Sequence, residues 1–398
     1  MIIAGLMAGT SADGLDVALV EFNYGVAEPH APAELNMRLL AFREVPFDDE
    51  LGIDIFRLLE PADVPLSMVS SVDARFGQAC AEAVGTICEE NRVECDLVVS
   101  HGQTVRHDVY RGSVTSTLQL GQPAWIAERT GSPVLSDVRA RDVAAGGQGA
   151  PLAGLLDHLL LAGGDQATAA LNLGGIANIT VVSPFRDTIA FDTGPANALI
   201  DVMARRITGD PRGIDHHGAL AALGRTEPDL LEELLADPYY QRLAPKSTGK
   251  EYFHSTYLDR ILNSHPQVGG LDVLATLTTL TARTVAEACQ AHQVSAVVAS
   301  GGGTRNPTLM SALRTELGAR VPVRTTDEAF GLPEGSKEAC LMALIGWLSW
   351  HGLSSTLPSV TGATHETVGG AFIPGTAPLQ LPEPLKKAPA RLRVLPRT

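Results

Sequence analysis

Lysine, cysteine and aromatic residues are what this 398-residue chain has least of. Five lysines stand against 25 arginines, and acidic residues outnumber basic ones 45 to 30, for a net charge of −15. That balance excludes the broad cationic surface a nucleic-acid backbone needs. An anionic ligand must instead be held locally, by backbone N–H groups and forked guanidinium groups. The cysteines Cys80, Cys88, Cys95, Cys289 and Cys340 are odd in number and contain no CxxC pair. This spacing predicts reduced thiols and no zinc site. No apolar run reaches the ~20 residues of a membrane span, and PLAGLLDHLLLAGG is interrupted by Asp157 and His158. No basic stretch precedes the apolar N-terminus, so a signal peptide is not expected. These absences predict a soluble, cytoplasmic protein that engages neither membrane nor nucleic acid.

What is present is glycine at the ends of apolar runs. Residues 9–16, GTSADGLD, lie between two strand-like runs and form a longer turn than a plain hairpin needs, rich in hydroxyls and N–H groups. The pattern returns in ATAALNLGGIANITVVSP, which starts at Ala167, with Asn172, Gly174, Gly175 and Asn178 replacing the Thr-Ser-Asp chemistry. The echo suggests two similarly built halves, each opened by a hairpin. Further strand signals, LVVSH, PVLSD, TIAFD, AVVAS and VPVRT, alternate with helical stretches over 72–92, 271–292 and 335–352, which places the chain in the α/β class. The Pro-rich, basic residues 375–398 read as a loose tail.

Six segments bear on the chemistry. SHGQTVRH (100–107) crowds His101 and Gln103 at a strand end, where open α/β sheets bind ligands, although a plain polar loop reads the same way. SDVRARDVAAGGQGAPL (136–152) joins Arg139, Arg141 and Asp142 to a glycine turn. It suits either a carboxylate or phosphate site or a flexible link with Asp137–Arg139 as a surface pair. In FDTGPAN, Asp192 ends a strand and is placed either as a general base or as the cap of the following helix. SGGGTRN (300–306) is no dinucleotide fingerprint, because Asn306 stands at the third glycine position, yet Gly301, Gly302 and Gly303 allow a flat ring or phosphate close to backbone. KSTGKEYF is no Walker A loop, because Ala244 stands where the first glycine belongs. Glu338, at the start of SKEACLMALIGW, suits the dipole of its own helix.

Taken in order, these segments resemble the sugar kinase, Hsp70 and actin superfamily. Within it, GTSADGLD, SHGQTVRH, RDVAAGGQGAPL, LNLGGIANIT, FDTGPAN, KSTGKEYF, SGGGTRN and the closing TGA (361–363) are similar to the 1,6-anhydro-N-acetylmuramic acid kinases, from residue 2 to about 375. The resemblance implies a two-lobed, actin-like (ribonuclease H-like) α/β fold with an interdomain cleft that closes over its ligands. The first lobe would span 1–150 and the second 151–345, with 346–374 returning to the first and 375–398 disordered. It also implies that the anhydro sugar, ATP and water become N-acetylmuramic acid 6-phosphate and ADP in peptidoglycan recycling.

Under that resemblance Gly9, Thr10, Ser11, Ala12, Asp13, Gly14, Leu15 and Asp16 wrap the ATP phosphates from one lobe. Gly174, Gly175 and Asn178 hold them from the other, and Gly301, Gly302 and Gly303 lie at the adenosine. Asp192 activates water. His101, Gln103, Arg139, Arg141, Asp142 and Glu338 are the candidates for the sugar and its lactyl carboxylate. Mg²⁺ is expected with ATP, near Asp13 or Asp16, and a homodimer is among the expectations. A kinase for another anhydro sugar, such as levoglucosan, and a nucleotide-gated sensor without turnover stand as alternatives.

Overall fold

Ile2–Met7 and Gly14–Gly25 are apolar, extended and buried along most of their length, and they pair antiparallel as β1 and β2. The computed structural model that shows this describes residues 1–9, 14–25, 32–60 and 62–397. The chain divides into two compact units, Met1–Ala162 with Gly331–Thr398, and Gly163–Phe330.

In the first unit β3 (Glu34–Pro46) continues the antiparallel meander, while β4 (Leu97–Ser100) lies parallel to β1 on its other side. A separate hairpin, β5 (Gln103–Tyr110) and β6 (Ser113–Leu120), follows. β7 (Val134–Ser136) then extends the main sheet parallel to β4. In the second unit β8 (Thr168–Leu173), β9 (Ile176–Ser183) and β10 (Arg186–Pro195) form an antiparallel meander. β11 (Ala296–Ser300) and β12 (Val323–Thr325) add to it in parallel. Both sheets therefore read third-second-first-fourth-fifth in their own strands, with the same senses. The sequence echo between the two opening hairpins is matched by this repeated topology.

Two further strands close the edges of the first sheet: β13 (Ala371–Ile373) beside β7 and β14 (Arg391–Val394) beside β3. The second corrects the expectation of a loose tail over 375–398. Leu392 is buried in the strand, and Arg391 and Arg393 both reach Glu34. Alternation over four residues was too short a signal to separate from the surrounding proline-rich chain.

The unit boundaries also differ from the expected 150/151 and 345/346. The helix Ala153–Leu161 and the start of the helix Ser336–Trp350 belong to the first unit, where buried Asp157 and Lys337 form an ion pair at 2.7 Å. Ser336–Trp350 is buried on nearly every side, and a Cβ on Gly5 would meet Ala339 O at 2.0 Å, so only glycine lets it lie this close to β1. Each Leu or Ile sequestered there contributes roughly 1.5–3 kcal/mol. The second unit packs its sheet against the helix Gly270–Ala291, from which Ala282, Val285 and Cys289 enter the core.

Candidate functional site

One rung of the second sheet carries a line of polar residues where apolar ones would be expected. In register across four strands stand Ser300 on β11, Asn172 on β8, Asn178 on β9 and Asp192 on β10. Directly paired residues share one face of a sheet. Gly301 follows Ser300 at φ +87°, and a Cβ there would meet Asn172 Oδ1 at 2.5 Å. A Cβ on Gly303 would meet Leu173 Cβ at 2.7 Å, whereas Gly302 faces open space. The glycine run thus lies against the end of β8, where the Gly174–Gly175 turn begins. The carbonyls of that turn point into the start of the helix Asn197–Thr208: Asn197 N donates to Gly174 O at 3.0 Å, and Ala196 N and Ala198 N to Gly175 O at 2.9 Å.

Asp192 lies inside β10, not at its end, with a register shift between it and Gly194. The helix after it is capped by Ala196, which removes the capping alternative. Its Oδ2 accepts from Thr248 N at 2.9 Å and Ser247 Oγ at 3.1 Å, and its backbone carbonyl accepts from the Tyr239 hydroxyl at 2.7 Å. Burial pushes the Asp192 carboxyl above the usual carboxylate range, the two hydrogen bonds oppose that shift, and the Glu251 charge adds to it. A raised carboxyl with one oxygen held in place is the arrangement of a positioned base.

Sequence reasoning assigned no role to KSTGKEYF once the Walker reading failed, yet it supplies both Asp192 donors. It also lays Lys250 on the turn, since a Cβ on Gly175 would meet Lys250 Cε at 2.5 Å. The available signal was two hydroxyls and a lysine in a lysine-poor chain.

In the first unit, the half-buried Arg139 organises a second cluster. Its Nε donates to His101 Nε2 at 2.8 Å and its Nη1 to Gly149 O at 2.5 Å. His101 is therefore assigned the Nδ1–H tautomer, which donates to Gly102 O at 2.7 Å. Burial and the neighbouring guanidinium hold the His101 ring neutral, its pKa pushed down to about 3. Burial also lowers Arg139 to about 10, against the favourable charges of Glu338 and Asp142. The Asp137–Arg139 surface pair is replaced by these contacts.

Asp142 has no exposed surface; its Oδ2 accepts from Gly149 N and its Oδ1 from Thr361 Oγ1, both at 2.7 Å. The glycine turn is thus braced by the TGA segment, and the flexible-link alternative fails. Asp142 acts through that turn and presents no free face, whereas Arg141 and Glu338 are exposed. His101 and Gly102 form the loop expected after β4, but Gln103 begins β5. Gln103 is fully buried; its Nε2 points to Gly9 O at 3.5 Å, and its Oε1 has no partner among the described residues.

Of the first turn, Gly9, Gly14, Leu15 and Asp16 are described, and Thr10, Ser11, Ala12 and Asp13 lie outside the described residues. Leu15 is a core residue, 2% exposed. Asp16 stands directly opposite Glu44 on β3, giving two carboxylates on one face beside that turn. No cluster of three or more metal-ligating side chains occurs among the described residues. Two carboxylates suit a hard cation that takes its remaining ligands from phosphate and water. No helix among the described residues is long and apolar enough to cross a membrane.

The family model described as anhydro-N-acetylmuramic acid kinase matches residues 1–375. The chain is 50% identical over 396 residues to the anhydro-N-acetylmuramic acid kinase of Streptomyces coelicolor, covering 99% of both chains. It is 43% identical to that of Rhodococcus erythropolis, again covering 99% of each. The relative from Caldanaerobacter subterraneus is 36% identical, with 93% of this chain and 96% of the relative covered.

Proposed function

We infer the reaction from one premise: the chain belongs to the anhydro-N-acetylmuramic acid kinase family. It is a kinase that opens the 1,6-anhydro bridge of this sugar with water and phosphorylates O6, consuming ATP and releasing ADP. Asp192 takes a proton from water as the water oxygen bonds to the anomeric carbon. The bond from that carbon to O6 breaks, its electron pair stays on O6, and O6 accepts the γ-phosphoryl group. Ordinary glycosidases need a second carboxyl to protonate the leaving oxygen; here that oxygen is captured by phosphorus, so one base suffices. Phosphoryl transfer asks mainly for positioning and charge neutralisation.

The observation that supports this reading is the polar rung, which brings Asp192, the Gly174–Gly175 turn and the Gly301–Gly303 segment to one end of the second sheet. Gly174, Gly175 and Lys250 would hold nucleotide phosphates, and the face of Gly302 leaves room for the adenosine. Gly9, Thr10, Ser11, Ala12, Asp13, Gly14 and Asp16 would take the phosphates in the first unit. When bound, Mg²⁺ would neutralise phosphate charge, and Asp16 and Glu44 would hold it. Arg139, aimed by His101 and Gly149, would contact the lactyl carboxylate, with Arg141, Gln103 and Glu338 at the sugar. Five free cysteines and the use of ATP support a cytoplasmic setting for this work.

An ADP-release assay across 1,6-anhydro-N-acetylmuramic acid, levoglucosan and N-acetylmuramic acid tests the reading. Release with the first sugar, and a 6-phosphate product, is expected. Equal use of levoglucosan would remove the carboxylate from recognition and Arg139 from its role. ATP binding without sugar-dependent release would make the protein a sensor.

A further inference from the structure

Three of the five cysteines are shut away. Cys80, Cys289 and Cys340 are buried, and burial pushes each thiol up to about 12. The other two are partly exposed and face each other: Cys88 Sγ and Cys95 Sγ are 3.3 Å apart. Cys88 sits in the last turn of the helix Leu66–Asn91, and Cys95 lies in the loop that leads into β4.

The backbone already closes the ring between them. Arg92 caps the helix at φ 53°, and Val93 N returns to Cys88 O at 3.0 Å. On the far side Ser132 Oγ donates to Cys95 O at 2.7 Å, and Asp96 N donates to Ile2 O at 2.8 Å. Bringing the sulfurs from 3.3 Å to the ~2.05 Å of a bond therefore asks for side-chain rotation within a loop that is already folded back.

We propose that Cys88 and Cys95 are a peroxide-oxidisable pair that forms a reversible intramolecular disulfide. The Cys88 sulfur is the nucleophile. Donation from the Cys95 thiol and the nearby Arg129 guanidinium favour its thiolate, against burial and the Glu89 charge. Arg129 is itself shared with Glu89 at 2.7 Å and Glu82 at 3.6 Å. The same hydrogen bond keeps the proton on Cys95, helped by burial and the Asp96 charge. One thiolate and one thiol in contact are the pair that the chemistry requires.

The Cys88 thiolate attacks a hydroperoxide oxygen and breaks the O–O bond, giving a sulfenic acid and hydroxide. Cys95 sulfur then bonds to Cys88 sulfur, the S–O bond breaks, and the sulfenic oxygen leaves as water with the Cys95 proton. With hydroxide taking up a proton, two thiols and one hydrogen peroxide become one disulfide and two waters. The cysteine pair loses two electrons and the peroxide gains them. Neither residue belongs to the catalytic clusters, so the site is independent of the reaction proposed above.

The test is a thiol count on the whole protein, treated while folded with a small excess of hydrogen peroxide, quenched, then unfolded in denaturant and alkylated, with peptide mapping. The expected result is three alkylated cysteines in place of five, one peptide pair joined through Cys88 and Cys95, and recovery of all five with dithiothreitol. The Cys95→Ser variant should instead accumulate a dimedone-reactive sulfenic acid at Cys88, while Cys88→Ser should leave Cys95 unoxidised. Five alkylated thiols after treatment, or a bridge to any other cysteine, would overturn the proposal; the wild-type count decides even if a variant does not fold.

Discussion

Thr248 donates its backbone N–H to Asp192 Oδ2 at 2.9 Å, across 56 positions of chain. With Ser247 Oγ on the same oxygen, one face of the carboxylate is fixed. The donors favour the charged form, burial disfavours it, and burial prevails. With Asp192 as the base, the acid limb of the rate profile is predicted to lie above the ordinary aspartate range.

Replacing Ser247 by Ala removes one donor to the charged form and raises the Asp192 carboxyl further. The acid limb of kcat/KM should move to higher pH while the plateau changes little. A pH–rate series from 4 to 9 reads this; an acid limb that stays put or moves down would detach Ser247 from the base. The same burial has a sign in stability. The folded chain holds the Asp192 proton more tightly than the unfolded one, so this group's contribution falls as pH rises from the ordinary carboxyl value through the raised one.

His101 runs in the opposite direction. Its pKa is pushed down to about 3, far below its unfolded value. Acid therefore favours the unfolded chain, and stability is lost as pH falls from about 6.5 toward that lowered value. In His101→Gln, which keeps a hydrogen-bonding side chain without a titrating ring, the fall in Tm between pH 6.5 and 4 should be visibly shallower. Parallel curves for the two proteins would mean that the ring is not held neutral.

A Cβ on Gly147 would lie 2.3 Å from Asp142 Oδ2. Because both Asp142 oxygens are engaged, the carboxylate cannot retreat without losing Gly149 N or Thr361 Oγ1. Gly147→Ala should cost about 1–3 kcal/mol of stability, the usual range for overpacking. It should also raise the sugar KM through Arg139, which shares Gly149, while nucleotide affinity holds. Urea unfolding with a separate nucleotide titration checks both halves.

The α/β class, the opening hairpins and most strands were legible because apolar runs bounded by glycine signal locally. Asp192, Arg139 and the glycine turn stood out as candidates because they are polar chemistry out of place in such runs. The Ser300–Asn172–Asn178–Asp192 rung was not, because register between distant strands is set by tertiary pairing that no local pattern encodes. Ser247 and Thr248 were hidden for the same reason: their partner lies far away in sequence. Asp142 looked like a ligand contact because a charged residue in a glycine turn suggests exposure, and only Thr361 reveals it as a brace. The unit boundary near 162 was missed because Asp157 looked like an interruption in an apolar run, when it is one half of a buried ion pair with Lys337.

The central claim is that Asp192 is the base for water attack while the nucleotide is held by neighbouring glycine segments. The most direct measurement compares Asp192→Asn with the unaltered protein for nucleotide affinity and for ADP release with the anhydro sugar. Nucleotide affinity within about twofold and turnover lowered ~10²–10⁴-fold are predicted for a lost general base. Turnover near that of the unaltered protein, with nucleotide binding intact, would contradict the account.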